Sequence, residues 1–220
     1  MPAEKYRQVM LQIAEAALRS GRDPGAVKLI AVTKTVGIEM VRRAAALGIE
    51  DFGENRVQDA ADKVAAMPDL RWHFIGHLQS NKVKEVLPAY VLIHSLDRLS
   101  LAEALQDQAK KVGRLAEVLI QVNVSGEQSK FGLAPDELPS FLEKISVLDQ
   151  VKVKGLMTMA PFLEDQEETR SYFRQLRLLR DANQKEGLAL PELSMGMTND
   201  YVVAVEEGAT MVRIGSALFG

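Results

Sequence analysis

Strand-like runs and segments of helical period alternate along the whole chain, and this alternation limits the fold more than any single motif. After an opening helix over about residues 4–20, the predicted strands are "KLIAVTK", "IEDFGE", "LRWHFIG", "YVLIHSL", "AEVLIQVNV", "VKVKGLMTM", "LSMG" and "TMVRIG". Between them lie helical patterns in "IEMVRRAAALG", "NRVQDAADKVAAM", "SNKVKEVL", "RLSLAEALQDQAKKVG", "PDELPSFLEKISVL", "EETRSYFRQLRLLRDANQKEG" and "NDYVVAVEEG". Eight strands in strict alternation predict a (β/α)8 TIM barrel with one extra N-terminal helix. The alternative is a doubly wound open sheet, which commonly needs fewer strands. No linker, repeat or low-complexity tract interrupts the pattern, so residues 1–220 are expected to form a single domain.

Composition narrows the function. The net charge of -3 provides no global basic field for nucleic acid or anionic lipid. With no cysteine, disulfides, thiolate nucleophiles and cysteine-based zinc sites are excluded, and the chain suits a reducing compartment. The start "MPAEKYRQVMLQIAEAALRSGRD" is amphipathic and acidic in part, unlike a signal peptide or a membrane span. A cytoplasmic protein without nucleic-acid or membrane partners is expected.

In a barrel, reactive groups gather at the C-terminal ends of the strands. There the chain places Lys34, Gly53-Glu54-Asn55, Gly76-His77, His94-Ser95, Asn123, Met157-Thr158-Met159, Ser194-Met195-Gly196 and Arg213-Gly215-Ser216. Lys34 ends the run Leu29-Ile30-Ala31-Val32, a strand read as buried on both faces. A lysine there either extends its amine to solvent or serves as a nucleophile, activated by partial burial or nearby positive charge. The loops "SMGMTND" and "RIGSALFG" pair glycine with hydroxyl residues at strand-to-helix transitions, where backbone N–H groups favour an anion. Ser194, Gly196, Thr198, Gly215 and Ser216 are the candidate phosphate ligands, and they are also ordinary turn and cap residues. Arg213 needs a buried partner, either a carboxylate such as Glu54 or Asp51 or a ligand ring nitrogen or carboxylate.

With Lys34, "FGENRVQD", "WHFIGHLQSNK", "KFGL", "GLMTM", "SMGMTND" and "VRIGSALFG", the chain resembles the pyridoxal phosphate homeostasis protein family, which is similar to the N-terminal barrel domain of alanine racemase. The likeness runs from about Leu29 to Gly220, with the motifs in family order. It implies pyridoxal 5′-phosphate (PLP) held as a Schiff base on Lys34, with its phosphate among Ser194, Gly196, Thr198, Gly215 and Ser216. Arg213 would lie at the pyridine nitrogen, and Asn55 and Met157 would line the ring's surroundings. Lys130 matches a family lysine near the mouth. Thr33 and Thr198 stand where many members have serine, and Val36-Gly37 replaces a more polar segment.

The implied role is PLP, vitamin B6 and amino-acid homeostasis without catalysis. Arg213 as ring partner makes a weaker electron sink than an acid would. A racemase of this fold also needs a second base and domain; Tyr6, Tyr90, Tyr172 and Tyr201 all lie away from the predicted strand ends. A PLP-dependent amino-acid racemase or decarboxylase is the alternative, and a sugar-phosphate Schiff-base barrel the third reading. The expected partners are PLP and recipient PLP-dependent apo-enzymes, and the expected state is a monomer. His73 and His77 are not read as metal ligands, because strand alternation separates them. The arginines from Arg174 to Arg180 are read as a solvated helix face balanced by acids, with a partner surface as the other possibility.

Overall fold

Eight parallel strands close into a barrel in sequence order, with the first strand paired to the last. The computed structural model describes residues 3–220. The strands are β1 (Lys28–Val32), β2 (Asp51–Glu54), β3 (Arg71–Phe74), β4 (Leu92–Leu96), β5 (Ala116–Gln121), β6 (Val151–Met157), β7 (Glu192–Ser194) and β8 (Met211–Ile214). Around them run α1 (Ala3–Arg19), α2 (Ile38–Ala45), α3 (Val57–Ala66), α4 (Val83–Val86), α5 (Leu99–Val112), α6 (Leu138–Ile145), α7 (Arg170–Asn183), α8 (Tyr201–Glu206) and α9 (Ser216–Phe219). The barrel expected from the alternation is the one found, and the open sheet is not.

Strand parity sets what faces inward. In β1, Ile30 packs inside the barrel with Leu92, Leu119, Met157 and Met211. Leu29 and Ala31 point the other way, into the larger core beneath the helices. The strand is thus buried on both faces, as its unbroken apolar run requires. The same period of two puts Val32 at the inner wall of the barrel mouth, and Lys34 follows in the turn just past the end of the strand.

β7 is shorter than "LSMG" predicts. Met195 N–H still donates to Met211 O (3.1 Å) and Gly196 O still accepts from Arg213 N–H (3.0 Å), but Gly196 breaks the regular register at φ +92°. A Cβ on Gly196 would lie 2.6 Å from the Ala204 side chain, so only glycine fits this turn. Thr210 repairs the short edge, its hydroxyl accepting from Leu193 N–H at 2.8 Å.

The opening helix packs on α8 through Val9, Ile13, Ala16 and Ala17, all buried. Just beyond it, Arg22 donates to the carbonyls of Val205 (2.8 Å) and Ala209 (2.9 Å), satisfying groups at the end of α8. On α7, Arg177 pairs with Glu207 at 3.1 Å and Arg180 with Asp181 at 2.5 Å, so two of the three arginines of the basic face meet acids.

Candidate functional site

The C-terminal ends of the strands surround a cavity of about 850 Å³. Lys34, Asn55, Thr198, Arg213, Gly215 and Ser216 line it together. Lys34 is exposed there rather than partly buried, and among the described residues its amine has no hydrogen-bond or ion-pair partner. An amine placed in a cavity with no protein acceptor is free for a ligand.

The loop holding Lys34 is gripped from behind. Lys63, on the buried face of α3, donates to Thr33 O (2.8 Å) and Val36 O (3.3 Å), the carbonyls on either side of Lys34. Its amine also meets Glu54 Oε1 at 2.5 Å, and Thr33 Oγ1 donates to the same oxygen at 2.6 Å. Glu54 is fully buried with Oε2 unpartnered, so its charge depends on Lys63 and Thr33. Glu54 therefore serves α3 on the outer face of the barrel, and is no partner of Arg213.

Asn55 is positioned by its neighbour. A Cβ on Gly76 would sit 2.1 Å from Asn55 O and 2.8 Å from its Cα, both backbone atoms that cannot rotate away. Gly76→Ala is expected to destabilise the protein by about 1–3 kcal/mol through overpacking, and to displace Asn55 from the cavity wall. Urea unfolding at parental stability would count against this.

Across from Lys34, the loop after β7 and the turn after β8 meet. Ala217 N–H donates to Thr198 Oγ1 at 3.4 Å, and Met197 N–H donates to Asp200 Oδ1 at 2.5 Å. The backbone N–H groups of Thr198 and Asn199 have no acceptor among the described residues. With the Thr198 and Ser216 hydroxyls, they form a donor-rich wall suited to an anion. Burial pushes the Asp200 carboxyl up, against the hydrogen bond from Met197 and the field of Arg213.

Three of the expected site residues lie behind this wall. Gly196 shapes the turn, Met157 is fully buried in the interior layer, and Ser194 is fully buried with its hydroxyl engaged elsewhere. Met159, two residues beyond Met157, reaches the cavity instead. At the rim, Lys130 pairs with Glu127 at 2.7 Å, while His77 stacks on Phe131 and faces Asp97 at 3.3 Å.

Arg213 is 4% exposed, and among the described residues no carboxylate lies within ion-pair distance of it. Its Nη1–H donates to Ser194 Oγ (2.6 Å) and its Nη2–H to Thr158 O (2.8 Å). Burial draws the guanidinium down to about 10, which still leaves it a cation at neutral pH. Beyond Ser194 the contacts continue through His94 Nδ1 (2.9 Å), then His94 Nε2 to His73 Nδ1 (3.0 Å), and finally His73 Nε2 to Asp51 Oδ1 (2.7 Å). Asp51 was the other carboxylate expected for Arg213; three side chains separate them. Sequence reading missed this chain, although strand parity on β3 and β4 is a signal that points both histidines inward.

Burial lowers His73, with Asp51 opposing, and lowers His94 well below the usual imidazole value. Both are neutral in the folded protein and protonate more readily once unfolded. The unfolded chain therefore binds more protons below pH ~6.5, and stability is lost as pH falls through that point. Thermal melts between pH 7.5 and 5 should show a falling midpoint that a His73→Phe/His94→Phe variant loses in part; equal slopes would refute the assignment.

Comparison with known proteins agrees with this geometry. Residues 12–220 match the family model described as alanine racemase, N-terminal domain. A pyridoxal phosphate homeostasis protein of Aquifex aeolicus is 49% identical over 220 residues, covering 99% of this chain and 96% of the relative. The protein of the same name from Pseudomonas aeruginosa is 44% identical, covering 99% and 94%. The structure of PipY from Synechococcus elongatus with PLP bound superposes with a TM-score of 0.83 at 42% identity, covering 94% of this chain and all of PipY. Alanine racemase of Clostridium difficile shares the fold alone, with a TM-score of 0.77 at 14% identity over 56% of its length. From the closed barrel, the cavity at its mouth and these full-length relatives, this chain belongs to the pyridoxal phosphate homeostasis protein family.

Proposed function

We propose that this protein holds PLP through Lys34 Nζ and contributes to PLP, vitamin B6 and amino-acid balance in the cytoplasm, as a monomer without catalysis of its own. One observation carries the reading: an unpartnered lysine amine shares a cavity with a buried arginine and a wall of hydroxyl and N–H donors. The donor set suits the group. Lys34 can form a covalent bond to an aldehyde, the donors of Thr198, Asn199 and Ser216 can take a phosphate, and Arg213 can meet a ring nitrogen. PipY, a relative whose structure has PLP bound, supports PLP as the ligand.

When bound, PLP supplies an electron sink, most strongly with its ring nitrogen protonated. Arg213 donates hydrogen bonds and has no proton to give up at neutral pH, so it favours the unprotonated nitrogen and a weak sink. None of the four tyrosines lines the cavity, and Tyr201 spends its hydroxyl on Gln12. No helix among the described residues is long and apolar enough to cross a membrane. PLP-dependent apo-enzymes are the proposed recipients.

Borohydride reduction of PLP-treated protein, followed by peptide mass mapping, tests the site. A pyridoxyl group on Lys34 is the expected result, and labelling scattered over surface lysines would refute it. Before reduction, the PLP-treated protein should leave L-alanine and other amino acids unracemised and undecarboxylated. Reproducible turnover would replace the carrier reading with the enzymatic one.

A further inference from the structure

Five polar side chains cross the interior of the barrel from β2 to β8, through a layer otherwise made of Ile30, Leu92, Leu119, Met157 and Met211. Buried polar groups are costly unless donors meet acceptors, and here one assignment of protons gives each contact along the chain one donor and one acceptor. The Asp51 carboxylate can only accept, so His73 Nε2 carries a proton and its Nδ1 is a bare acceptor. That acceptor requires the proton of His94 on Nε2, leaving His94 Nδ1 bare. Ser194 must then donate its hydroxyl to His94, which presents the Ser194 lone pairs to Arg213. The chain runs in one direction, from the Arg213 cation to the Asp51 anion, with both histidines neutral.

On the reading of the cavity as a PLP site, we infer that Asp51, His73, His94 and Ser194 are positioning residues that hold the Arg213 guanidinium toward the ligand. Two observations support this. Arg213 has no carboxylate of its own, so Ser194 and Thr158 O fix one side of the guanidinium. Its remaining donors have no acceptor among the described residues, and Arg213 lines the cavity. A flexible arginine in the same place would have to be ordered when the ligand arrives; this one is ordered beforehand. The Ser194 proton is committed to His94, so Ser194 supports Arg213 rather than donating to a phosphate.

A double-mutant cycle separates positioning from packing. In equilibrium dialysis, His94→Phe is expected to weaken PLP binding roughly 10-fold when Arg213 is present, but less than about 2-fold in an Arg213→Met background. Equal factors in both backgrounds would overturn the inference, as would unchanged binding in the single variant. Ser194→Ala serves in the same cycle if His94→Phe does not fold, and Asp51→Asn tests the far end. The chain can also be read without ligand, since the protein has only three histidines. Imidazole nitrogen NMR at pH 7.5 should show His73 and His94 neutral, each protonated on Nε2. A proton on Nδ1 of either ring would reverse the chain and overturn the inference. Failure of the parent protein to bind PLP would instead remove the site reading itself, and is seen before any variant is made.

Discussion

Lys34→Ala is expected to abolish covalent capture of PLP while leaving the fold at parental stability. The side chain is exposed and makes no hydrogen bond or ion pair with the described residues, so its loss removes no structural contact. Such surface substitutions usually change stability by no more than about 0.5 kcal/mol. The arginine and the hydroxyl wall remain, so weak reversible binding should persist where the covalent bond is lost. Borohydride reduction followed by intact-mass measurement should therefore show no pyridoxyl addition, with a melting midpoint within about 2 °C of the parent. Lys130 is the informative control, since it lines the same cavity but is engaged by Glu127 at 2.7 Å. Undiminished addition in Lys34→Ala, mapped to Lys130, would assign the bond to the wrong side of the mouth and overturn the reading.

Lys63→Met should cost far more stability than Lys34→Ala, although Lys63 lies outside the cavity. Lys63 is 7% exposed and Glu54 is fully buried. Removing the ammonium leaves a buried carboxylate with only Thr33 Oγ1 as donor, and breaking such a pair costs about 3–5 kcal/mol. For a chain of this size that corresponds to a fall in melting midpoint of roughly 6–20 °C. Lys63→Met/Glu54→Leu removes both charges and should recover much of the loss, because a buried ion pair is often no more stable than its apolar replacement. The Lys63 bonds to the Thr33 and Val36 carbonyls are lost in both variants, leaving Thr33 O only the Val36 N–H (3.1 Å), so covalent capture at Lys34 should stay impaired after stability returns. Recovery of stability and capture together would show that the clamp holds the fold but not the lysine. A single Lys63→Met variant as stable as the parent would refute the buried-pair account.

The gap between these two lysines illustrates what could be read from the chain. Lys34 was legible because it follows an unbroken apolar run, where a cation demands an explanation in local terms. Lys63 sits in "NRVQDAADKVAAM", a helical pattern in which a lysine reads as an exposed residue; its role comes from Glu54 on the neighbouring strand. The loops proposed to take the phosphate were legible through glycine and hydroxyl residues at strand-to-helix transitions. Ser194 reads from the sequence like Thr198, yet one is committed to the interior and the other lines the cavity. A difference of a few residues across a turn decides this, and the turn depends on how Gly196 packs against Ala204.

By itself, the sequence determined the barrel, and that a lysine and an arginine lie at the mouth where the cavity opens. These follow from local period and strand parity, which involve residues two to four positions apart. Only the tertiary structure decided that Glu54 belongs to Lys63 and that Asp51 reaches Arg213 through two histidines and a serine. Those partners lie on different strands and helices. Closure of the barrel brings them within hydrogen-bonding distance, and the low dielectric of the interior then makes each of these hydrogen bonds costly to lose.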